Sequence, residues 1–275
     1  MKRTHKLISV AVLAALAVAN SQTASAAIIA NGNLNTEVSQ WDSVRGDSGY
    51  YLDTSTLDVL EDQAISSGGG ASNANTGRDA GEWVWSSLTR GFAYDPDGGA
   101  EGPGDGAFVD RPGADFNSKP RAVAQFVNDG SATTGQQTVS MDVFMDDNTG
   151  ANTLTFLVEL YGWNAGDTGP KLSLGGADAN NPAYNVTTLG GATEVLSTAV
   201  AAASVTDATW QTVNLGNVDL GTGYDYYVWR IGILGATAGD DFAFDNLTVI
   251  PEPSSSLLAG LFVAGTLLCR RRGIN

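Results

Sequence analysis

Between Ala27 and Ile250 the chain has no histidine and no cysteine: the single His is His5 and the single Cys is Cys269. This excludes Ser-His-Asp and Cys-His nucleophilic chemistry, His- or Cys-held zinc and haem, iron–sulfur clusters and disulfides. Oxygen chemistry remains open: paired carboxylates, or a Ca²⁺ held by oxygens. Positive charge is also scarce. Six of the 14 Lys and Arg sit in the two ends, against one acid (Glu252), so the body keeps 8 basic and 29 acidic residues, a formal charge of −21. Phosphate neutralisation needs clustered Lys and Arg, so nucleic acid is excluded as a partner and anionic lipid surfaces are disfavoured. Acidity of this kind keeps an exported protein soluble. Amphipathic helical windows are missing as well. The nearest is Ser197–Ser204 with its run Ala201–Ala203, too short to form a helix alone and readable as a short helix or a strand end.

What is present instead is alternation at period two. Val139, Met141, Val143 and Met145 share one face of Thr138–Asp146. Leu154, Phe156, Val158 and Leu160 do so in Thr153–Trp163, and Tyr227, Trp229, Ile231 and Ile233 in Asp225–Leu234, with Tyr226, Val228 and Arg230 opposite. Further strands are expected at Ala122–Val127, Lys171–Leu174, Thr193–Ala199, Trp210–Leu215 and Phe242–Val249. Turn signals such as Asn128-Asp129-Gly130 and Gly239-Asp240-Asp241 separate them. Many short strands at regular spacing predict an all-β fold, an antiparallel β-sandwich or jelly roll. The glycine-rich stretches Gly68–Gly81 and Asp95–Asp115 read as loops. Asp95, Asp97, Glu101 and Asp105 lack the EF-hand register, because Gly106 and not Glu stands at position twelve, and they read as a solvated acidic loop.

The two ends stand apart from this body. Residues 1–26 have a basic head (Lys2, Arg3, Lys6), an apolar run Leu7–Ala19 broken only by Ser9, and Ala24-Ser25-Ala26. That is the pattern of a signal peptide cleaved between Ala26 and Ala27. Residues 251–275 begin Pro251-Glu252-Pro253, expected to be a stiff spacer because each proline fixes φ and removes a donor. An uncharged run Leu257–Cys269 follows, then Arg270, Arg271 and Arg272. As a helix the run covers about 20 Å of a ~30 Å hydrocarbon layer, a short transmembrane anchor whose arginines stay cytoplasmic.

Pro-Glu-Pro, apolar run and terminal arginine cluster, in that order, resemble the PEP-CTERM sorting tail. The resemblance covers the last tenth of the chain. It implies an exosortase as partner beside the export machinery. It also implies anchoring in the inner membrane through the tail, then passage to the cell surface or exopolysaccharide matrix of a Gram-negative-type bacterium.

A second resemblance brackets the body. Ala30-Asn31-Gly32-Asn33-Leu34-Asn35 with Trp41 at the start, and Asp241 to Val249 at the end, are similar to the galactose-binding-like jelly roll of many carbohydrate-binding modules. There the first and last strands pair, and acidic groups beside them hold a structural Ca²⁺. The resemblance carries that role onto Asp245, with Asn33 and Asn35 standing where first-strand acids are usual.

For glycan binding the candidates are aromatics whose faces stack on sugar rings. Trp83 and Trp85 are two apart, and Tyr161 and Trp163 repeat the spacing at a strand end, so each pair shares a strand face. Trp41, Trp210 and Trp229 are expected in the core. No acid pair is singled out for catalysis; Glu82 and Glu159 are the acids a glycosidase or lyase reading would test. The expectation is a non-enzymatic, surface-sorted sandwich that binds glycan or joins the exopolysaccharide matrix. The alternative is a structural surface protein that buries its tryptophans.

Overall fold

The computed structural model describes residues 28–35, 49–62, 73–84, 92–110, 121–148, 150, 153–173, 186–188, 191–237 and 239–252. Ala26 and Ala27, Trp41, Trp85, and Pro253 onward, with the apolar run and Arg270–Arg272, lie outside them.

The described residues form fifteen strands in three five-stranded sheets, every printed pairing antiparallel. The middle sheet has the order β12 (Thr193–Ala201), β9 (Thr155–Trp163), β14 (Tyr226–Leu234), β7 (Arg121–Asn128), β4 (Trp83–Val84). The second has β13 (Gln211–Asp219), β8 (Gln136–Asp146), β15 (Asp241–Pro251), β6 (Ala107–Asp110), β5 (Phe92–Asp95). These two make the expected sandwich. Its core is the alternating set read from sequence: Val139, Met141, Val143 and Met145 face Phe156, Val158, Leu160, Trp229 and Ile231.

Of the third sheet, only the strand at Lys171–Leu174 was legible in the sequence. The sheet has the order β11 (Val186–Thr188), β10 (Lys171–Ser173), β1 (Gly49–Leu52), β2 (Asp58–Asp62), β3 (Asn73–Asp79). It builds a second core of Tyr50, Leu52, Val59 and Leu172 against Phe126, Tyr161, Trp163 and Val228 on the far face of the middle sheet. The middle sheet is thereby covered on both sides, and β14 is buried along seven consecutive residues, Tyr227–Ile233. A strand pressed between two layers needs side chains that suit both.

Several expectations are corrected. Asn73–Asp79, placed in a loop, is β3, paired to β2 through a register shift between Val59 and Leu60. Ala107–Asp110, also placed in a loop, is β6. Ser197–Ser204 resolves into the end of β12 and a single 3₁₀ turn, Ala202–Ser204. Pro251 is not a spacer residue: it pairs with Gln137 at the end of β15, and the Glu252 N–H donates to the Gln136 carbonyl at 3.0 Å. The strand tolerates this proline because Glu252, not Pro251, turns its N–H toward β8. On the other side β6 pairs only at Ala243 and Phe244.

Buried inside the second core is an ion pair. Arg230 on β14 stands directly across from Glu159 on β9, and its Nε donates to Glu159 Oε2 at 2.6 Å. The Tyr161 hydroxyl donates to Glu159 Oε1 at 2.9 Å. Burial, with the Glu159 charge, pushes the Tyr161 phenol above its usual range. Glu159 is therefore spent on structure. Arg230→Ala strands the Glu159 carboxylate without its cation and is expected to cost about 3–5 kcal/mol. The volume-matched pair Glu159→Leu with Arg230→Met is expected to recover most of that loss. Urea midpoints of the wild type and the two variants check both statements.

Candidate functional site

The site suggested by the sequence lies where the chain's first and last segments meet. Residues 28–35 do not form the expected first strand. They make an irregular turn, with Asn31 at φ 46° and Leu34 at φ 51°. Side chains hold it. Trp229 Nε1 donates to the Ile28 carbonyl at 2.7 Å, Trp83 Nε1 to Asn31 O at 3.2 Å, and the Tyr94 hydroxyl to Leu34 O at 2.8 Å. The buried Gln125 amide accepts from Ala30 N and donates to Ala30 O and Gly81 O. The link to the last strand is a single main-chain bond, Leu247 N–H to Gly32 O at 2.9 Å. It forms at a bulge in β15 between Asp245 and Thr248, where Asn246 takes φ 49°. A Cβ on Gly32 would sit 2.1 Å from the Leu247 carbonyl oxygen, so only glycine permits this approach.

The bulge holds Asp245 fully buried under the loop Pro96–Gly106. Its carboxylate accepts from Asn246 N at 2.6 Å and Ala100 N at 3.3 Å. Asp105, expected in a solvated loop, is 5% exposed and folded into the same place. Its Oδ2 accepts from Glu101 N at 2.7 Å, while Oδ1 is buried with no hydrogen-bond partner among the described residues. The backbone at Gly99 presses on that carboxylate so closely that a Cβ would lie 2.4 Å from Oδ2. Burial pushes Asp245 up to about 7, and the neighbouring Asp105 charge adds to it against the two backbone N–H groups. Two buried carboxylates side by side, one with an orphaned oxygen, suit a hard cation or a shared proton. Asn35 is brought near through Oδ1, which accepts from Gly106 N at 3.0 Å. Asn33 is not; it is exposed in the turn. Sequence reasoning grouped Asp105 with Asp95, Asp97 and Glu101 as a solvated loop, because nothing in a Gly/Asp-rich loop says which acid folds inward.

The aromatic candidates are placed differently from the expectation. Trp83 packs in the main core on Phe108 and Phe244 at ring separations of 5.7 and 6.1 Å. Tyr161 and Trp163 lie in the second core, Trp163 stacked on Tyr226 at 5.6 Å. Exposures of 1–2% leave none of the three a face for a sugar ring. For Tyr161 and Trp163 the cause is the third sheet, which covers the strand face they were expected to present; Trp83 instead points into the core between the two sandwich sheets. Trp229 is in the core as read, and Trp210 is half-buried against Phe144 at 5.9 Å. Glu82 caps its own turn, Oε2 accepting from Asp79 N at 3.0 Å. Between it and Glu159 stand β7 and β14, so β4, which Glu82 directly precedes, and β9, which carries Glu159, are three inter-strand steps, about 14 Å, apart.

Among the described residues, a groove of about 510 Å³ opens beside the same turn. Ala30, Leu57, Ala80, Gly81 and Val127 line it with Thr56, Asp79 and Asn128. Val127 is buried, Leu57 and Ala80 are half-buried, and the three polar residues are exposed. The groove thus has an apolar floor and a hydrogen-bonding rim. Gln125 fixes one wall by tying Ala30 to Gly81, and the Ala80 N–H bond to Leu57 O (2.9 Å) fixes the other.

No family profile matches the chain, and no curated protein matches it in sequence. Among solved structures it is similar to a protein from Bacteroides thetaiotaomicron VPI-5482 provisionally named for sugar binding. That match has 14% identity over 82% of this chain and 99% of that one, with a TM-score of 0.45. It is also similar to TmCBM61, solved with β-1,4-galactotriose, at 11% identity over 62% and 88% of the two chains and a TM-score of 0.35. A third is the enzymatically active domain of bacteriophage CBA120 tailspike protein 4, at 12% identity over 61% and 18% and a TM-score of 0.31. Function is therefore read from this chain's own residues.

Asp245 gives a pH signature. Its folded pKa lies above the ordinary 3.8, so its contribution to stability is present below about pH 4 and is lost as pH rises through about 7. In EDTA the chain should lose urea stability between those values, and Asp245→Asn should flatten that slope. A slope unchanged by Asp245→Asn would mean that the carboxylate is not held in a raised state.

Proposed function

We propose that the chain is an exported, surface-sorted β-sandwich that holds a polysaccharide of the cell envelope or its matrix. The observation that carries the binding half is the groove beside residues 28–35. A pyranose has an apolar C–H face and a hydroxyl edge, and the groove offers the complement: Leu57, Ala80 and Val127 below, Thr56, Asp79 and Asn128 around. Among the described residues no aromatic lines it, so in this reading affinity comes from hydrogen bonds and a small apolar contact. Repeated contacts along a polymer raise such weak binding by avidity. The sorting half is supported by the order Pro251-Glu252-Pro253, apolar run, Arg270–Arg272 and by the basic, apolar and small-residue segments of residues 1–26.

A Ca²⁺ between Asp105 and Asp245 is part of this reading. It would replace the proton the two buried carboxylates otherwise share, and carbonyl and water oxygens would complete a shell of six to eight. Its work there is to tie the Pro96–Gly106 loop to the last strand. A second reading, a structural matrix protein with no specific ligand, is favoured by one observation: Trp83 and Trp163 are spent on packing.

Affinity electrophoresis of the full chain against a polysaccharide panel separates the two. Retardation by at least one glycan, lost at least tenfold in Asp79→Ala with the fold kept, supports the groove; a folded chain that no glycan retards supports the matrix reading. Sorting is tested in a host that carries an exosortase. Removing Arg270–Arg272 should leave the protein in the inner-membrane fraction, whereas the intact chain reaches the surface. Equal surface display of both would overturn the sorting half.

A further inference from the structure

A second group of carboxylates gathers away from Asp245, at the end of the sandwich where β8 stops and β15 starts. Asp146 and Asp241 are direct cross-strand partners there, an arrangement of like charges that costs stability by itself. The residues just beyond that pair, Asp147 and Asp240, are both buried, at 7% and 2% exposure. Asp207 joins from the turn before β13, where its Oδ1 accepts from Asp147 N at 3.3 Å. The Asn148 side chain closes over the opposite loop, its amide nitrogen 2.8 Å from where a Gly239 Cβ would stand.

Asp240 is the unusual member. Its Oδ2 accepts from Thr237 N at 2.6 Å and Thr237 Oγ1 at 2.9 Å. Its Oδ1 is buried and has no hydrogen-bond partner among the described residues. A buried carboxylate oxygen without a donor is costly unless something outside the chain satisfies it. Asp240 directly precedes Asp241 in the chain, so its orphaned oxygen lies beside the Asp146–Asp241 pair.

We infer that this strand end is a second cation site, taking a Ca²⁺-class ion with Asp240 Oδ1 as its buried ligand and Asp146 or Asp241 as a second carboxylate. No three carboxylates converge on one point among the described residues. The site is therefore built from two carboxylates with the Asn148 side-chain oxygen, carbonyls and water, a mixed oxygen set that calcium accepts and that magnesium, with its strict octahedron, does not favour. Bound there, the ion would pin the loop after β8 to the loop before β15 and relieve the Asp146–Asp241 repulsion. The inference stands independently of the polysaccharide reading.

The test is Ca²⁺ titration calorimetry on the full chain in detergent, in four forms: wild type, Asp245→Asn, Asp240→Asn, and the two combined. The Asp245→Asn chain should still bind one Ca²⁺, and adding Asp240→Asn should weaken that binding at least tenfold. Asp241→Asn, at an exposed position, is the second variant should Asp240→Asn disturb folding, and it should weaken the same ion by a similar factor. An Asp245→Asn chain that binds no Ca²⁺ overturns the second site while leaving the first. Undiminished affinity in both the Asp240→Asn and Asp241→Asn backgrounds overturns it as well.

Discussion

The architecture turns on how residues 28–35 are held. This segment makes no sheet pairing, yet Ile28 and Leu34 are fully buried. Its carbonyls are inside and must be satisfied. Trp229, Gln125, Trp83 and Tyr94 supply the donors from β14, β7, β4 and β5. Each such bond is worth about 1 kcal/mol net, but a lost partner would leave a buried carbonyl at greater cost. The arrangement explains two things together. Trp83 and Trp229 have their indole nitrogens committed to the N-terminal turn, and the groove wall at Ala30 and Gly81 exists because Gln125 grips both.

A second constraint follows from the middle sheet having neighbours on both faces. Its outer face carries Arg230, Glu159, Tyr161 and Trp163, residues that would suit an open surface in a two-layer sandwich. Under the third sheet they become a buried ion pair and a packed aromatic group. Buried charge of this kind costs desolvation, and Tyr161 and Arg230 offset it by satisfying both Glu159 oxygens. The covering sheet draws on two distant stretches, 49–79 and 171–188.

The acidity of the body is not all surface solvation. Asp105, Asp147, Asp240 and Asp245 are buried, and each lies at a strand end or a bulge where main-chain N–H groups or a cation can meet it. Of these, Asp147 and Asp245 are held by backbone donors on one or both oxygens, while Asp105 and Asp240 each keep an oxygen that the described residues leave unpaired.

Much was readable from the sequence alone. Period-two alternation located β8, β9 and β14, and the further strands expected from sequence match β7, β10, β12, β13 and β15 to within a few residues. The absence of His and Cys from the body limited its chemistry before any fold was known. The other strands of the third sheet were illegible: β1, β2, β3 and β11 run three to seven residues, β2 and β3 pair through a register shift, and their apolar residues are too few to set a period. Pro251 entered β15 because a proline's missing N–H matters only on the side that has a partner. That Tyr161 and Trp163 are covered was decided by a layer contributed from elsewhere in the chain, and which aspartates fold inward by loops and bulges at the strand ends. Local pattern records that a residue has two faces; only the tertiary structure determines what lies against each.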